Sequence, residues 1–295
     1  MSSSSACQTP CIACGGQLHH WGVRNKYHYC YCINCKSLQQ VPFPTQEELE
    51  DLYKKNYTSL DNYQIDTAEL HQPIYKKIAT IIRDLGYAKK SKIIDFGCGW
   101  GGMCEVLKQE GFDYLGTDLS KEEIESCRTR KLNCIEGNLT DLSAENIQAD
   151  VIIAIFVFEH LVDYAGFFKS VKSILCEGGS MIIVIPTSPL VMRLGKIYSS
   201  VFPKKDMPQF GETISPPWHT VVFSPLGVRQ ISEKNGFRVV NVMPCPKYKA
   251  DSITRSTVKV LLGFIENIGC RLMKWRWPIS TANIFVLKNV RDQKS

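Results

Sequence analysis

The segment from Lys92 to Gly102, KIIDFGCGWGG, constrains this chain more than any other. A short apolar run, Ile93-Ile94, ends in Asp95 and Phe96. Four glycines then fall within six residues: Gly97, Gly99, Gly101 and Gly102. This order predicts a buried strand, a tight turn and the start of a helix. Glycines let a ligand approach the backbone, and the helix behind them aims free amides at an anionic group. Alone, the segment has more than one reading. Gly97, Gly99 and Gly102 also satisfy the dinucleotide pattern G-x-G-x-x-G, and a glycine-rich turn can be only a turn.

The residues that follow supply the missing constraint. A second short strand, YLGTDLS, ends in Asp118, 21 residues after Gly97. A doubly wound fold places a carboxylate there, on ribose hydroxyls. Ser120 can cap the helix that opens at Lys121. A third strand is predicted near Cys134-Ile135, before Gly137-Asn138-Leu139, although asparagine after glycine is also turn chemistry. The unbroken run VIIAIFVF, Val151 to Phe158, reads as a strand covered on both faces. It leads into Glu159-His160-Leu161. A fifth strand, Met181 to Ile185, stops at Pro186, and two more are expected at Phe237 to Met243 and Asn283 to Leu287. Strands alternating with helical segments predict an α/β fold: a doubly wound, mostly parallel seven-stranded sheet.

The pattern D-x-G-x-G-x-G at Asp95 to Gly101 resembles motif I of class I S-adenosylmethionine-dependent methyltransferases. The order of the later motifs, over roughly residues 70 to 290, is similar to that family as well. The resemblance implies S-adenosylmethionine as cofactor. Gly97, Gly99 and Gly101 would cradle its methionine end, Asp118 its ribose and Asn138 its adenine edge. Asp95 would order the turn or meet the amine, and Phe156 completes the set. A dinucleotide dehydrogenase would need a separate substrate domain, for which little chain remains.

At the N-terminus, Cys11-x-x-Cys14 and Cys32-x-x-Cys35 are separated by 17 residues. Two such pairs predict a zinc ribbon, four thiolates closing one tetrahedral site. The segment between them, Gln17 to Tyr31, is expected as a hairpin with His19, His20 and His28 on its surface. Cys7 and Cys30 are left as spare thiols or substitute ligands, and the symmetry of the two pairs argues against the second role. Zinc here would be structural, since four thiolates leave no open position for substrate. Pro42 and Pro44 mark a boundary, and Thr45-x-x-Glu48 reads as a capping box. A ribbon followed by this segment resembles zinc-ribbon methyltransferases of small-molecule and cell-surface saccharide pathways. Tyr57 and Tyr63 stand where such enzymes bring a tyrosine to the cofactor, and read equally as helix-packing aromatics. The units expected are a zinc ribbon at 1–44, a helical lead-in at 45–90 and a cofactor-binding unit at 91–295. Lid insertions are expected at 188–218 and 245–278.

Composition narrows the setting. The chain has 295 residues and 13 cysteines. Several cysteines fall in predicted core elements, which suits reduced thiols in a cytoplasmic protein rather than a disulfide framework. No apolar run approaches the roughly 20 residues of a membrane span, and no signal peptide is visible. Residues 91–190 carry 8 basic and 15 acidic groups, whereas 191–295 carry 17 basic and 6 acidic. A basic last third suits solvent, a phosphate-bearing substrate, RNA or an anionic membrane surface. The segments 189–205 and 252–277 mix apolar and basic residues at helical spacing. They read as lid helices, or as a peripheral membrane surface.

Two histidines are placed for base chemistry. His160 follows the fourth strand, and His219 lies in an H-x-x-x-F-S segment similar to one that lines the substrate mouth of related methyltransferases. Glu159-His160 resembles part of the Glu-x-x-Glu-His metal cluster of ubiquinone-pathway O-methyltransferases. Phe156 occupies the first acidic place, so no catalytic metal is expected. The favoured reaction is O-methylation of a small, saccharide-type or lipid-linked metabolite. The rivals are an RNA methyltransferase and a non-catalytic zinc-ribbon scaffold.

Overall fold

A computed structural model describes residues 7–45, 47–49, 64–203, 205–210, 213–246, 268–269, 272 and 281–290. Tyr57, Tyr63 and nearly all of 252–277 lie outside the described residues.

The strand expected at Ile93-Ile94 is β4 (Lys92–Phe96), at the middle of a seven-stranded sheet. β5 (Asp113–Asp118) and β7 (Ala149–Ile155) flank it, both parallel. β6 (Cys134–Glu136) extends one side. β8 (Leu175–Pro186), β11 (Ala282–Asn289) and β10 (Phe237–Pro244) extend the other, with β11 antiparallel to both neighbours. The spatial order is β10-β11-β8-β7-β4-β5-β6. It reverses between β4 and β7, and sheets of this kind bind ligands outside the strand carboxyl ends at such a reversal.

Successive side chains of a strand face opposite ways. Ile93 therefore packs with Ile78 of α1 (Gln64–Asp84), Leu107 of α2 (Gly102–Glu110) and Ile124 of α3 (Lys121–Thr129). Ile94 packs with Leu142 of α4 (Leu139–Ala144), Val171 of α5 (Tyr164–Ile174) and Val228 of α7 (Pro225–Lys234). All seven expected strands form, and two of them have shifted ends. β8 begins at Leu175 rather than Met181, running through Gly178 and Gly179. The run expected through Phe158 leaves the sheet after Ile155. Phe156 turns the chain at φ 55°, and Phe158–His160 forms a single 3-10 turn. Phe158 is fully buried among Phe167, Phe168 and Phe223. Its apolarity serves this aromatic cluster rather than strand pairing.

The hairpin expected between the cysteine pairs is β1 (Leu18–Arg24) and β2 (Tyr27–Cys32), joined through Asn25 and Lys26 at positive φ. β3 (Leu38–Val41) follows, and then a strand the sequence did not announce. β9 (Val221–Val222), from far along the chain, pairs antiparallel with β3 and completes a four-stranded sheet. Further ties reinforce this seam. Tyr29 Oη donates to the His219 carbonyl at 3.0 Å, and Ser188 Oγ donates to the Lys36 carbonyl at 2.6 Å. The capping box forms as expected, with Glu48 N donating to Thr45 Oγ1 at 3.1 Å.

One expectation is corrected. Cys7 and Cys30, read as spare thiols, are joined by a disulfide. The segment before the first knuckle lies over β2 and brings their Cα atoms to 6.1 Å, within bridging range. Cys11, Cys14, Cys32, Cys35, Cys98, Cys104, Cys127, Cys134 and Cys176 are outside any disulfide.

The segment 189–205 largely forms α6 (Ser188–Val201). Its buried side holds Val191 and Gly195, and a Cβ on Gly195 would sit 2.0 Å from the Trp21 ring of β1. Its other side exposes Leu194, Ile197 and Val201. Among the described residues, no helix is long and apolar enough to cross a membrane.

Candidate active site

The glycine turn sits at the carboxyl end of β4 and is pinned to β5. Gly97 N and Cys98 N donate to the Thr117 carbonyl at 2.8 and 3.1 Å, and Gly99 N donates to Asp118 Oδ2 at 2.9 Å. Gly97 has φ 69°, and a Cβ there would lie 2.4 Å from Val157 Cγ2. Gly101 has φ 76°, and its Cβ would meet Leu132 and the Cys127 sulfur. The backbone at both positions is open only to glycine. Neighbouring side chains already fill the space a Cβ would take, which holds the turn close against β7 and α3 at the start of α2, where helix amides are free.

Three carboxyl groups surround this turn. Asp95 is buried beneath it, and burial raises its pKa to about 7. Burial also raises Asp118, against amides from Ser120 and Gly99 that favour its charge. Glu123 is pushed up to about 8 by burial and then by Asp118 beside it. Its Oε2 is buried without a hydrogen-bond partner. An acidic, under-satisfied cradle with no room for side chains suits a ligand carrying hydroxyls and positive charge. Asn138 lies at the same edge, but its Oδ1 caps α4, accepting from Thr140 N at 2.7 Å and Asp141 N at 3.2 Å. Phe156 stands at the end of β7 with the His71 ring 5.4 Å away. His71 and Tyr75, on α1, are functional candidates that sequence reasoning missed. A Cβ on Gly102 would lie 2.7 Å from the Tyr75 ring, so this helix lies over the turn. The signal available was an i, i+4 aromatic pair on the helix leading into the sheet.

The two histidines expected separately lie together. The His160 and His219 rings are 4.9 Å apart and nearly edge to face. His160 Nδ1 lies 2.9 Å from the Trp218 carbonyl, and His219 Nδ1 lies 2.9 Å from the Thr213 carbonyl. A carbonyl only accepts, so each Nδ1 carries hydrogen and each Nε2 is left with its lone pair. Burial lowers both pKa values. His160 falls to about 3, through burial first and His219 second. Both imidazoles are therefore neutral near pH 7. Glu159, buried beside them, is raised by burial to about 8, and its Oε2 has no hydrogen-bond partner. One ligand atom from each of Glu159, His160 and His219 falls within 4.8 Å of the others. Thr220 holds the two segments together, its Oγ1 donating to the Glu159 and Leu161 carbonyls at 3.0 and 2.8 Å.

In the ribbon, Cys11 and Cys35 have sulfurs 3.6 Å apart, and Cys14 and Cys32 3.4 Å apart. All four lie within 4.8 Å of one another. A tetrahedral zinc with bonds of about 2.3 Å spaces its sulfurs about 3.8 Å apart, so the cage fits the ion. Gly16 N points at Cys14 Sγ from 3.4 Å, as an amide supporting a thiolate does. A surface depression lined by Lys169, Lys172, Lys234 and Gly236 opens at the opposite, amino edge of the sheet.

Comparison with known proteins agrees with this geometry. The profile of the methyltransferase domain family matches residues 70–242. The ubiquinone biosynthesis O-methyltransferase of Vibrio vulnificus is 33% identical over 95 residues, 30% of this chain and 40% of the relative. That of Mesorhizobium japonicum is 28% identical over 138 residues, 42% of this chain and 54% of the relative. The chain thus spans roughly half the length, or less, of these curated relatives. Two solved structures share the fold. A protein from Pyrococcus horikoshii aligns with TM-score 0.51 and 18% identity over 81% of this chain and 98% of its own. Magnesium protoporphyrin IX methyltransferase from Synechocystis, with bound S-adenosylhomocysteine, aligns with TM-score 0.51 and 13% identity over 82% and 99%. The chain belongs to the methyltransferase domain family and has the class I fold of S-adenosylmethionine-dependent methyltransferases.

Proposed function

We propose that this protein is an S-adenosylmethionine-dependent methyltransferase acting on a hydroxyl of a small, saccharide-type or lipid-linked metabolite. A structural zinc in the N-terminal ribbon holds the acceptor side of its site. The observation that carries this reading is the meeting of His160 and His219 at the carboxyl edge of the sheet, beside the glycine turn.

The bound cofactor supplies a methyl group on a sulfonium, already activated for in-line displacement. Gly97, Gly99 and Gly101 cradle its methionine end, Asp118 takes the ribose, and Asn138 and Phe156 border the adenine. Asp95 orders the turn from below. The remaining work is to place the acceptor and take its proton, so proximity and one base carry the rate. His219 is that base. Its Nδ1–H is held by the Thr213 carbonyl, which aims the Nε2 lone pair at the acceptor hydroxyl. His160 stays neutral beside it, held down by burial and by the charge His219 gains.

The substrate class rests on the O-methyltransferase relatives, the basic last third and the apolar row on α6. A divalent ion held by Glu159, His160 and His219 is a second reading, favoured by their 4.8 Å spacing. The base reading expects activity to survive EDTA as long as the ribbon zinc, counted in the same sample, stays bound. Loss on chelation, restored by magnesium, would replace the base with the ion.

Calorimetric titration with S-adenosylhomocysteine tests the cofactor. Micromolar binding is expected, lost in Asp118→Ala and absent for NADH. No binding to the folded, zinc-loaded protein would favour the scaffold reading, and a salt-sensitive shift of RNA would favour the RNA one. Gly97→Ala gives a second expected result. Forcing a side chain into φ 69° costs about 1–2 kcal/mol, and the Val157 overlap adds to it. Affinity should fall at least about tenfold. Val157→Ala in the same chain should restore part of it, and full affinity in the single variant would remove the turn from the site.

A further inference from the structure

The ribbon zinc accounts for four cysteines and leaves Cys7 and Cys30. In the register of β1 and β2, Cys30 stands opposite His20. His28 is two residues before Cys30 and so shares its face of β2. One ligand atom from each of Cys7, His20 and Cys30 lies within 4.8 Å of the others. The His20 and His28 rings are 5.9 Å apart, and His28 Nδ1 is buried without a hydrogen-bond partner. A disulfide alone accounts for none of this. It needs no imidazoles, and it leaves the His28 nitrogen unsatisfied.

Two thiolates and two imidazoles are a complete ligand set for tetrahedral zinc. With Zn–N bonds of about 2.0–2.1 Å, two imidazoles on one ion have ring centres about 5 Å apart. His28 lies outside the 4.8 Å group, its ring 5.9 Å from that of His20, so it has to turn toward the other three to complete the set. Cys7 is half-buried, on the segment before the first knuckle.

We propose that Cys7, His20, His28 and Cys30 form a second zinc site in the reduced protein, and that the Cys7–Cys30 disulfide is its oxidised, metal-free form. Reduction by a dithiol breaks the S–S bond. Two electrons and two protons pass to the cysteine sulfurs, and the dithiol becomes a disulfide. Zinc then displaces both thiol protons to solvent and takes the two imidazole lone pairs. The result is a neutral site beside the doubly negative four-thiolate one.

The test counts zinc in the full-length chain after dithiothreitol reduction, anaerobic desalting and loading with zinc. Two zinc ions per chain are expected when reduced and one after air oxidation. Reduced Cys7→Ser and reduced His20→Asn should each hold one. Cobalt substitution gives a second readout that does not depend on stoichiometry. The wild-type minus His20→Asn difference spectrum should show a tetrahedral site of mixed sulfur and nitrogen ligands. A count of one in the reduced wild type, unchanged by Cys7→Ser, overturns the proposal. So does a second zinc indifferent to both His20→Asn and His28→Asn, or a disulfide that survives reduction. Cys32→Ser separates the two sites. A single zinc kept by Cys32→Ser but lost by Cys7→Ser would uphold this site and remove the ribbon's.

Discussion

Cys32→Ser/Cys35→Ser loses the ribbon's zinc and all acceptor turnover, while its affinity for S-adenosylhomocysteine stays near the wild-type value. The asymmetry follows from where the ribbon is attached. Structural zinc contributes an apparent binding free energy of about 10–16 kcal/mol, which is folding energy for a unit this small. Without it β3 has no reason to hold β9, and Tyr29 no longer fixes the His219 carbonyl. The acceptor wall then loses its backing. The amides of Gly97, Cys98 and Gly99 in the glycine turn bond to Thr117 and Asp118 of β5, within the seven-stranded sheet rather than to the ribbon sheet. Zinc counting, calorimetry and a turnover assay on the same preparation check this. A variant lacking ribbon zinc but turning over normally would show that the ribbon has no part in the site.

His219→Ala lowers turnover about 10²- to 10⁴-fold, the range for losing one general base. Binding of S-adenosylhomocysteine is unchanged. The pH profile carries the sharper signature. Burial lowers the His219 pKa from its ordinary value of 6.5. The neutral imidazole is the active form, so the wild-type rate rises with pH through that lowered pKa and is level above it. The variant should lose this acid limb. Release of S-adenosylhomocysteine against a panel of hydroxylated acceptors measures both. An acid limb surviving in His219→Ala but lost in His160→Ala would move the base to His160.

What the sequence disclosed depended on distance along the chain. The turn at Asp95 to Gly102 is local: its glycines, its strand and its helix adjoin one another, so composition alone declares them. Asp118 is nearly as legible, because a βα unit has a set length. His160 and His219 were each visible, but their contact was not, since it depends on Thr220 reaching back to Glu159. The two-residue strand β9 has no alternation to detect, and only pairing with β3 makes it a strand. Asn138 shows the reverse case, since the local capping box claims the oxygen that a longer-range role would use. His71 and Tyr75 went unread because they lie on an ordinary amphipathic helix, and only the packing of that helix against Gly102 gives them a place.

The late arrival of β9 also bears on how the chain is made. Roughly 180 residues separate the third ribbon strand from its last partner. At about 5–20 residues per second, a nascent ribbon waits about 10–40 s with the edge of β3 bare. A bare strand edge is a template for pairing with other chains. Translation order therefore sets a vulnerable interval in the life of this protein, one that closes only when the ribosome has delivered the residues following His219.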